Sequence, residues 1–339
     1  MRNLIVGIAG FVGQHLARHL RAQGEEVLAT YRPIAAAKAD REPSAGQPAP
    51  ISSRAESGLT DTESESVPWN IAEPIDADAL ERIRSFRPDV VFHLAAISVP
   101  VDCGRSAPTP DALRVNVQGT KHVAQLVSSL PGPPRLIFAS TGQVYDSACA
   151  RAGRVDEAAP LKPESGYAWT KHYAEQCIRD AVADIHFEAV IVRAFKHAGP
   201  GQSSRMMLSE WARQFAEGVS PVRVQSLESY VDLTDVRDVV RAYHALAGID
   251  RPAMIYNLGS GLRRRTGDIL AAMQLQADPQ RAICVTGAAP RDEPIANANR
   301  LRTDTGWEPL IPLGKTIADT LAFWRCRTCP DDGNEGKIQ

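Results

Sequence analysis

Within its first twenty residues the chain carries an apolar strand pattern that runs through a glycine turn straight into an amphipathic helix: LIVGIAGFVGQHLARHL, Leu4 to Leu20. The opening run shows no polar alternation, so the spacing predicts a strand covered on both faces, as in a parallel sheet. Val12, Leu16 and Leu20, with Ala17 alongside, fall at helical spacing, and Gly24 suits the end of that helix. Gly7, Gly10 and Gly13 form GxxGxxG, one residue longer than the GxGxxG fingerprint. A turn of this kind brings the N–H groups of a helix start close to a dinucleotide pyrophosphate.

The alternation continues. EEVLATYR reads as a second strand, Ala77 to Phe86 as a helix, and Asp89 to Ala96 (DVVFHLAA) as a continuous apolar strand. A helix over about 111–129, the strand RLIFAST (Arg135 to Thr141), a helix over about 166–183 and the strand FEAVIVRA (Phe187 to Ala194) follow. Strands separated by helices and short turns require right-handed crossovers, so the predicted fold is α/β, a doubly wound parallel (Rossmann) sheet with a smaller, mixed C-terminal substrate lobe. Residues 1–194 are assigned to the dinucleotide-binding domain. Residues 195–325 form mainly the substrate lobe, with 230–258 returning to the sheet, and 326–339 form a tail. Helices are expected near 206–218, 233–247, 266–275 and 313–325. From 35 to 67 the chain is rich in Ala, Ser, Glu, Pro and Gly, which predicts a long mobile loop.

Hydrophobic residues at 44%, charged residues at 23%, a net charge of −2 and a pI near 6.5 give no basic surface for nucleic acid or anionic membranes. Without an 18-residue apolar run or a leader-like start, the expected location is the cytoplasm. Six cysteines make no disulfide framework, and the lone pair Cys326/Cys329 lacks the second ligand pair of a metal site, so no metal is expected.

The second strand ends Thr30, Tyr31, Arg32, with no carboxylate to bind a ribose 2′-hydroxyl. A guanidinium pairs bidentately with phosphate, so Arg32 points to NADP(H) rather than NAD(H). The pentapeptide YAWTK sets Tyr167 one helical turn before Lys171. Tyrosine titrates near pH 10, and an ammonium within about 4–6 Å lowers that value, which makes the phenol a proton donor to a nascent alkoxide. Thr141, at the carboxyl end of its strand, is placed to hydrogen-bond the reacting oxygen.

The ordered set GIAGFVG, HLAA (His93 to Ala96), NVQGT (Asn116 to Thr120), ASTGQVY (Ala139 to Tyr145), YAWTK and TDVRDVV (Thr234 to Val240) resembles the extended short-chain dehydrogenase/reductases of the nucleotide-sugar branch. The resemblance implies a catalytic triad of Thr141, Tyr167 and Lys171, with Lys171 also bonding the nicotinamide ribose. It implies further cofactor contacts from Gly7, Gly10, Phe11, Val12, Gly13, Arg32, Asn70, Ile71, Leu94, Ala95, Ala96, Asn116 and Arg193, and a homodimer formed through the helices at 111–129 and 166–183. RAFKHAGPGQ (Arg193 to Gln202) and the stretch Leu301 to Arg325 are similar to the GDP-linked 4-keto-6-deoxymannose reductases, which implies an NADPH-dependent reduction giving a GDP-6-deoxyhexose such as GDP-D-rhamnose. Substrate contacts are then expected from Thr141, Gly142, Gln143, Lys196 and Arg291. The related dehydratases carry an acid after the threonine, whereas this chain has Gly142 and Gln143. Lys196 stands where that family has Asn, and Val231 where an RDFTDV pattern gives Arg. An NAD-dependent epimerase and a non-catalytic NADP-binding regulator remain as alternatives. If Arg32 selects the cofactor, kcat/KM is higher with NADPH than with NADH, and equal values would remove the assignment.

Overall fold

Strand β1 (Arg2–Val6) is buried from Asn3 onward, as its unbroken apolar run requires. It feeds α1 (Phe11–Ala22), whose buried face is Gly13, Leu16, Ala17 and Leu20. The chain continues through β2 (Glu26–Tyr31), β3 (Ser66–Pro68), α2 (Ala77–Phe86) and β4 (Val90–His93). Next come a π-helical turn (Leu113–Gln118) leading into α3 (Gly119–Ser129), then β5 (Arg135–Thr141), α4 (Gly166–Ile185) and β6 (Ala189–Ala194). The second half holds α5 (Met207–Ala216), α6 (Val236–Gly248), β7 (Ile255–Leu258), α7 (Thr266–Ala277), α8 (Asn299–Thr305) and α9 (Leu313–Thr328), with short strands among them. This computed structural model describes residues 1–33, 65–151, 153–185, 187–287 and 289–328.

The seven strands form one parallel sheet in the order β7-β6-β5-β4-β1-β2-β3. β1 pairs with β2 on one side (Leu4 opposite Leu28) and with β4 on the other (Leu4 opposite Val91). The strand order therefore reverses between β1 and β4, and the crevice at their carboxyl ends is where an open α/β sheet binds ligands. Among the described residues no helix is long and apolar enough to cross a membrane, and no group of three or more His, Cys, Asp or Glu is placed to hold a metal.

Two compact units result, each assembled from separate stretches of chain: Met1–Ser140, Ser165–Ile191 and Leu246–Met254 in the first, Thr141–Glu164, Val192–Ala245 and Ile255–Gln339 in the second. In the second unit α5, α7 and α9 share a core of Leu208, Trp211, Phe215, Ile269, Leu270, Met273, Ile317 and Leu321. Trp324 joins it, with its indole N–H donating to Ser209 Oγ at 2.9 Å.

Several expectations need correction. Of the loop predicted over 35–67, residues 35–64 lie outside the described residues, but Ser66–Pro68 is an edge strand in register with Ala29–Tyr31, and Val67 is fully buried. A single buried β-branched residue, Val67, anchors this pairing within a polar segment. The helix predicted from 233 begins at Val236, because Leu233–Asp235 pairs in parallel with Lys196–Ala198. α9 runs on to Thr328, so Cys326 is an exposed helical residue, while Cys329 lies outside the described residues.

Asp232 holds the second unit together at one point. Only 1% exposed, it accepts from the backbone N–H groups of Ser260 (2.8 Å), Gly261 (2.9 Å) and Ala296 (3.1 Å), and from the Ser260 hydroxyl. Gly259 passes so close that an added Cβ would lie 2.7 Å from the Asp232 carboxylate. Asp232→Ala strands three buried backbone N–H groups at once, beside the Ser260 hydroxyl, each costing about 1–3 kcal/mol when unmet. Urea unfolding should therefore show a loss of about 3 kcal/mol or more; an unchanged midpoint would mean that the loop finds other acceptors.

Candidate active site

The glycine turn forms as its spacing demands. Gly7 takes φ +103°, open to glycine, and a Cβ there would meet Ala95 N at 2.7 Å and Ala95 Cα at 2.8 Å. That approach exists because Val6 O accepts from both Leu94 N (3.0 Å) and Ala95 N (2.9 Å), which lays the segment after β4 across the turn. A Cβ on Gly13 would lie 2.4 Å from Gly7 O. Gly10 differs: its nearest neighbour would be Gly7 O at 3.4 Å, and it is exposed at the N-cap of α1 without a side-chain cap. Packing accounts for Gly7 and Gly13, whereas Gly10 leaves bare helix N–H groups and no side chain in front of them. This cradle fits a dinucleotide pyrophosphate. Phe11 and Val12 are half-buried in the first turn of α1, and Arg32 is exposed directly after β2.

The loop after β4 is tied to helix α4. Asn116 is 2% exposed. Its Oδ1 accepts from Ile97 N (2.8 Å) and its Nδ2 donates to Ile97 O (2.9 Å) and Thr170 Oγ1 (3.0 Å). The amide thus pins the loop to α4. Gly166, the first residue of α4, sits under the same loop: a Cβ would lie 2.1 Å from Cys103 O and 2.7 Å from Ala107 O. Ile71 is buried against α3, its carbonyl bonded to His122 Nδ1 at 2.8 Å, and Asn70 Oδ1 accepts from Ala72 N at 3.3 Å. Leu94, Ala95 and Ala96 remain half-buried along the crevice.

On α4, Tyr167 is half-buried and Lys171 is 3% exposed. Lys171 Nζ donates to Ala139 O at 2.7 Å and stands 4.7 Å from the centre of the Phe138 ring. Burial lowers its pKa to about 8, against the raising pull of Cys103 and Glu175. The neighbours are kept neutral: burial pushes His93 down to about 3 and the Cys103 thiol up to about 11. Thr120 Oγ1 donates to Asn116 O at 2.7 Å, so His93 Nε2 carries the proton that it shares with Thr120 at 2.9 Å. Hence Lys171 has no second cation competing with it in this pocket of the first unit.

In the second unit, Thr141 Oγ1 accepts from Gln143 N at 3.3 Å, which leaves its hydroxyl hydrogen to give. Gly142 is buried where a Cβ would meet the Phe195 ring at 3.0 Å, and Gln143 is half-buried. Beneath this turn Tyr145 Oη donates to Asn257 Oδ1 (2.7 Å) and accepts from Arg193 (3.1 Å). Arg193 is 1% exposed, lies over the Tyr145 ring and also reaches Glu157 O at 3.3 Å, so the residue expected at the cofactor is engaged in supporting the turn. Lys196 is ion-paired with Glu293. Arg291 N donates to Ser229 Oγ at 3.0 Å. Val231 is buried, and directly opposite it on the neighbouring strand stands Arg264, a partner that its position in the sequence gave no way to foresee.

The sequence model of the NAD dependent epimerase/dehydratase family matches residues 3–259. GDP-6-deoxy-D-mannose reductase from Pseudomonas aeruginosa is 25% identical over 96% of this chain and 98% of its own length. UDP-glucose 4-epimerase from Mycolicibacterium smegmatis is 28% identical over 96% of this chain and 99% of its own. The NADPH complex of RMD from Pseudomonas aeruginosa superposes with a TM-score of 0.77 at 24% identity, covering 96% of this chain and 98% of that one.

The three glycines separate packing from ligand contact. Gly13→Ala should lower the melting temperature, since its Cβ has nowhere to go. Gly10→Ala should leave that temperature unchanged yet weaken NADPH binding about tenfold or more in a fluorescence titration, a cost of about 1.4 kcal/mol. Equal affinity in Gly10→Ala would show that the cradle holds no pyrophosphate.

Proposed function

The chain belongs to the NAD dependent epimerase/dehydratase family, and we propose that within it the protein is an NADPH-dependent reductase of the 4-keto group of a nucleotide-linked 4-keto-6-deoxyhexose, forming a GDP-6-deoxyhexose such as GDP-D-rhamnose. The observation that carries this reading is the end-to-end likeness to GDP-6-deoxy-D-mannose reductase, over 98% of that enzyme's length. The turn after Thr141 supports it. A dehydratase needs a further acid or base there, and Gly142 has a Phe195 ring where a side chain would begin.

NADPH is the cofactor that suits the strand end at Arg32, which has no carboxylate to repel a 2′-phosphate. Gly7, Gly10 and Gly13 would hold its pyrophosphate, and Lys171 its nicotinamide ribose. When bound, the cofactor supplies the hydride. Thr141 donates a hydrogen bond to the substrate carbonyl oxygen, keeping its proton, and steadies the charge that develops there. Tyr167 then passes its phenolic proton to that oxygen, completing the alcohol. The Lys171 ammonium makes this transfer easier by favouring the phenolate that remains. Gln143, Lys196 and Arg291 are the residues we assign to the sugar and its diphosphate. A homodimer suits Leu113 and Tyr173, which stay 39% and 37% exposed beside α3 and on α4. The free thiols of the described cysteines suit the cytoplasm.

The likeness to UDP-glucose 4-epimerase favours a second reading, in which the same groups oxidise and re-reduce one sugar with no net consumption of cofactor. Incubation with a panel of 4-keto-6-deoxy nucleotide sugars and NADPH decides between them: stoichiometric loss of NADPH absorbance, with product identified by NMR, supports the reductase. Interconversion of 4-epimers without that loss supports the epimerase. Binding without any turnover supports a regulator. Tyr167→Phe should lower kcat by about 10²–10⁴-fold, the usual contribution of a positioned general acid. Near-wild-type turnover in that variant would overturn the assignment.

A further inference from the structure

Positions 167, 171 and 175 are spaced by four, so the third residue of the series lies on the same face of α4 as the tyrosine and lysine. It is Glu175, with a side chain wholly removed from solvent. Its Oε1 accepts the Ser140 hydroxyl at 2.6 Å, and its Oε2 accepts from Arg179 at 2.8 Å. Ser140 directly follows Ala139, whose carbonyl accepts from Lys171. Two consecutive residues of β5 therefore hold two consecutive turns of α4, one by its carbonyl and one by its hydroxyl.

A buried carboxylate is costly unless its charge is used. A glutamine of the same shape would satisfy Ser140 and fill the same space. We propose that Glu175 is a positioning residue for Lys171: clamped by Ser140, it fixes the helix register against β5 and supplies the negative charge that keeps the buried ammonium charged beside Tyr167. This rests on the reading of Tyr167 and Lys171 as the proton-transfer pair.

The surrounding groups leave that task to Glu175. From the turn Pro100–Cys103, Cys103 faces Lys171 as a neutral thiol, and from β4, His93 faces it as a neutral imidazole. On α4 itself Arg179 shares the Glu175 carboxylate, and Asp180 acts on Cys177. Across the packed helix α3, Lys121 also acts on Cys177, and His122 is bonded to Ile71 O and Gln118. Desolvation brings the Lys171 pKa down to about 8, and Cys103 and then Glu175 oppose that fall; with the thiol pushed up to about 11 and protonated at neutral pH, the standing opposing charge is that of Glu175. Removing the charge must therefore lower the pKa further, so that the ammonium deprotonates within the working pH range.

The test is a ¹³C NMR titration of Lys171 in full-length protein labelled at lysine Cε, run beside the pH profile of kcat. In Glu175→Gln the Lys171 midpoint and the alkaline limb of kcat should both move down by about one pH unit. Glu175→Asp, which keeps the charge, should return most of that shift. Arg179→Gln frees the carboxylate from its partner and should move the midpoint up. It reads the same coupling on the surface side of the pair, should Glu175→Gln fail to fold. A folded Glu175→Gln protein with an unmoved midpoint, or an Arg179→Gln protein with an unmoved midpoint, overturns the proposal. The titration needs no substrate, so it is decided even where no nucleotide sugar is turned over; that failure would fall on the proposed reaction alone.

Discussion

An ammonium ion with almost no contact with water is the constraint around which the first unit is organised. A lone charge in such a place would shed its proton or unfold its surroundings. Lys171 keeps its proton because a backbone carbonyl, an aromatic ring and a carboxylate on the same helix receive it. The loop between β4 and α3 closes over it, with Asn116 bonding both sides of Ile97 and Gly166 admitting the backbone at Cys103. Even the imidazole and thiol nearby are held in neutral forms by the same burial. A phenol beside such a cation has reason to ionise, whereas the same phenol on an open helix would not.

What the sequence disclosed and what it hid follows from how local each feature is. The glycine turn and the Tyr167–Lys171 spacing were legible because the restrictions lie within one turn of backbone or helix. The work of Asn116 was not, since its partners at Ile97 and Thr170 are 19 and 54 residues away. Asp232 was equally opaque, its acceptor role depending on loops 28 and 64 residues further on. The three-residue strand at Ser66 was hidden by averaging, because composition over a polar window cannot report one buried valine. Arg193, expected at the cofactor from the resemblance, is buried against Tyr145 and Glu157 O, partners 48 and 36 residues away that no local pattern announces.

The departures from the family pattern at Lys196 and Val231 fall in the second unit. Where Val231 replaces an expected arginine, Arg264 lies across the strand pair, and where Lys196 replaces an asparagine, Glu293 answers its charge. Both differences leave Tyr167 and Lys171 of the first unit unchanged.

The interleaving of the two units bears on how the molecule is made. The first unit is finished only when Leu246–Met254 is added, although its opening 140 residues are already long enough to collapse. During synthesis the nascent sheet must therefore wait, with the outer edge of β5 unpaired until β6 is made about fifty residues later and the edge of β6 unpaired until β7 follows, at roughly 5–20 residues per second. For several seconds a bare strand edge is a template for any passing strand, so the interleaved order of the chain exposes the sheet to mispairing until its last strand arrives.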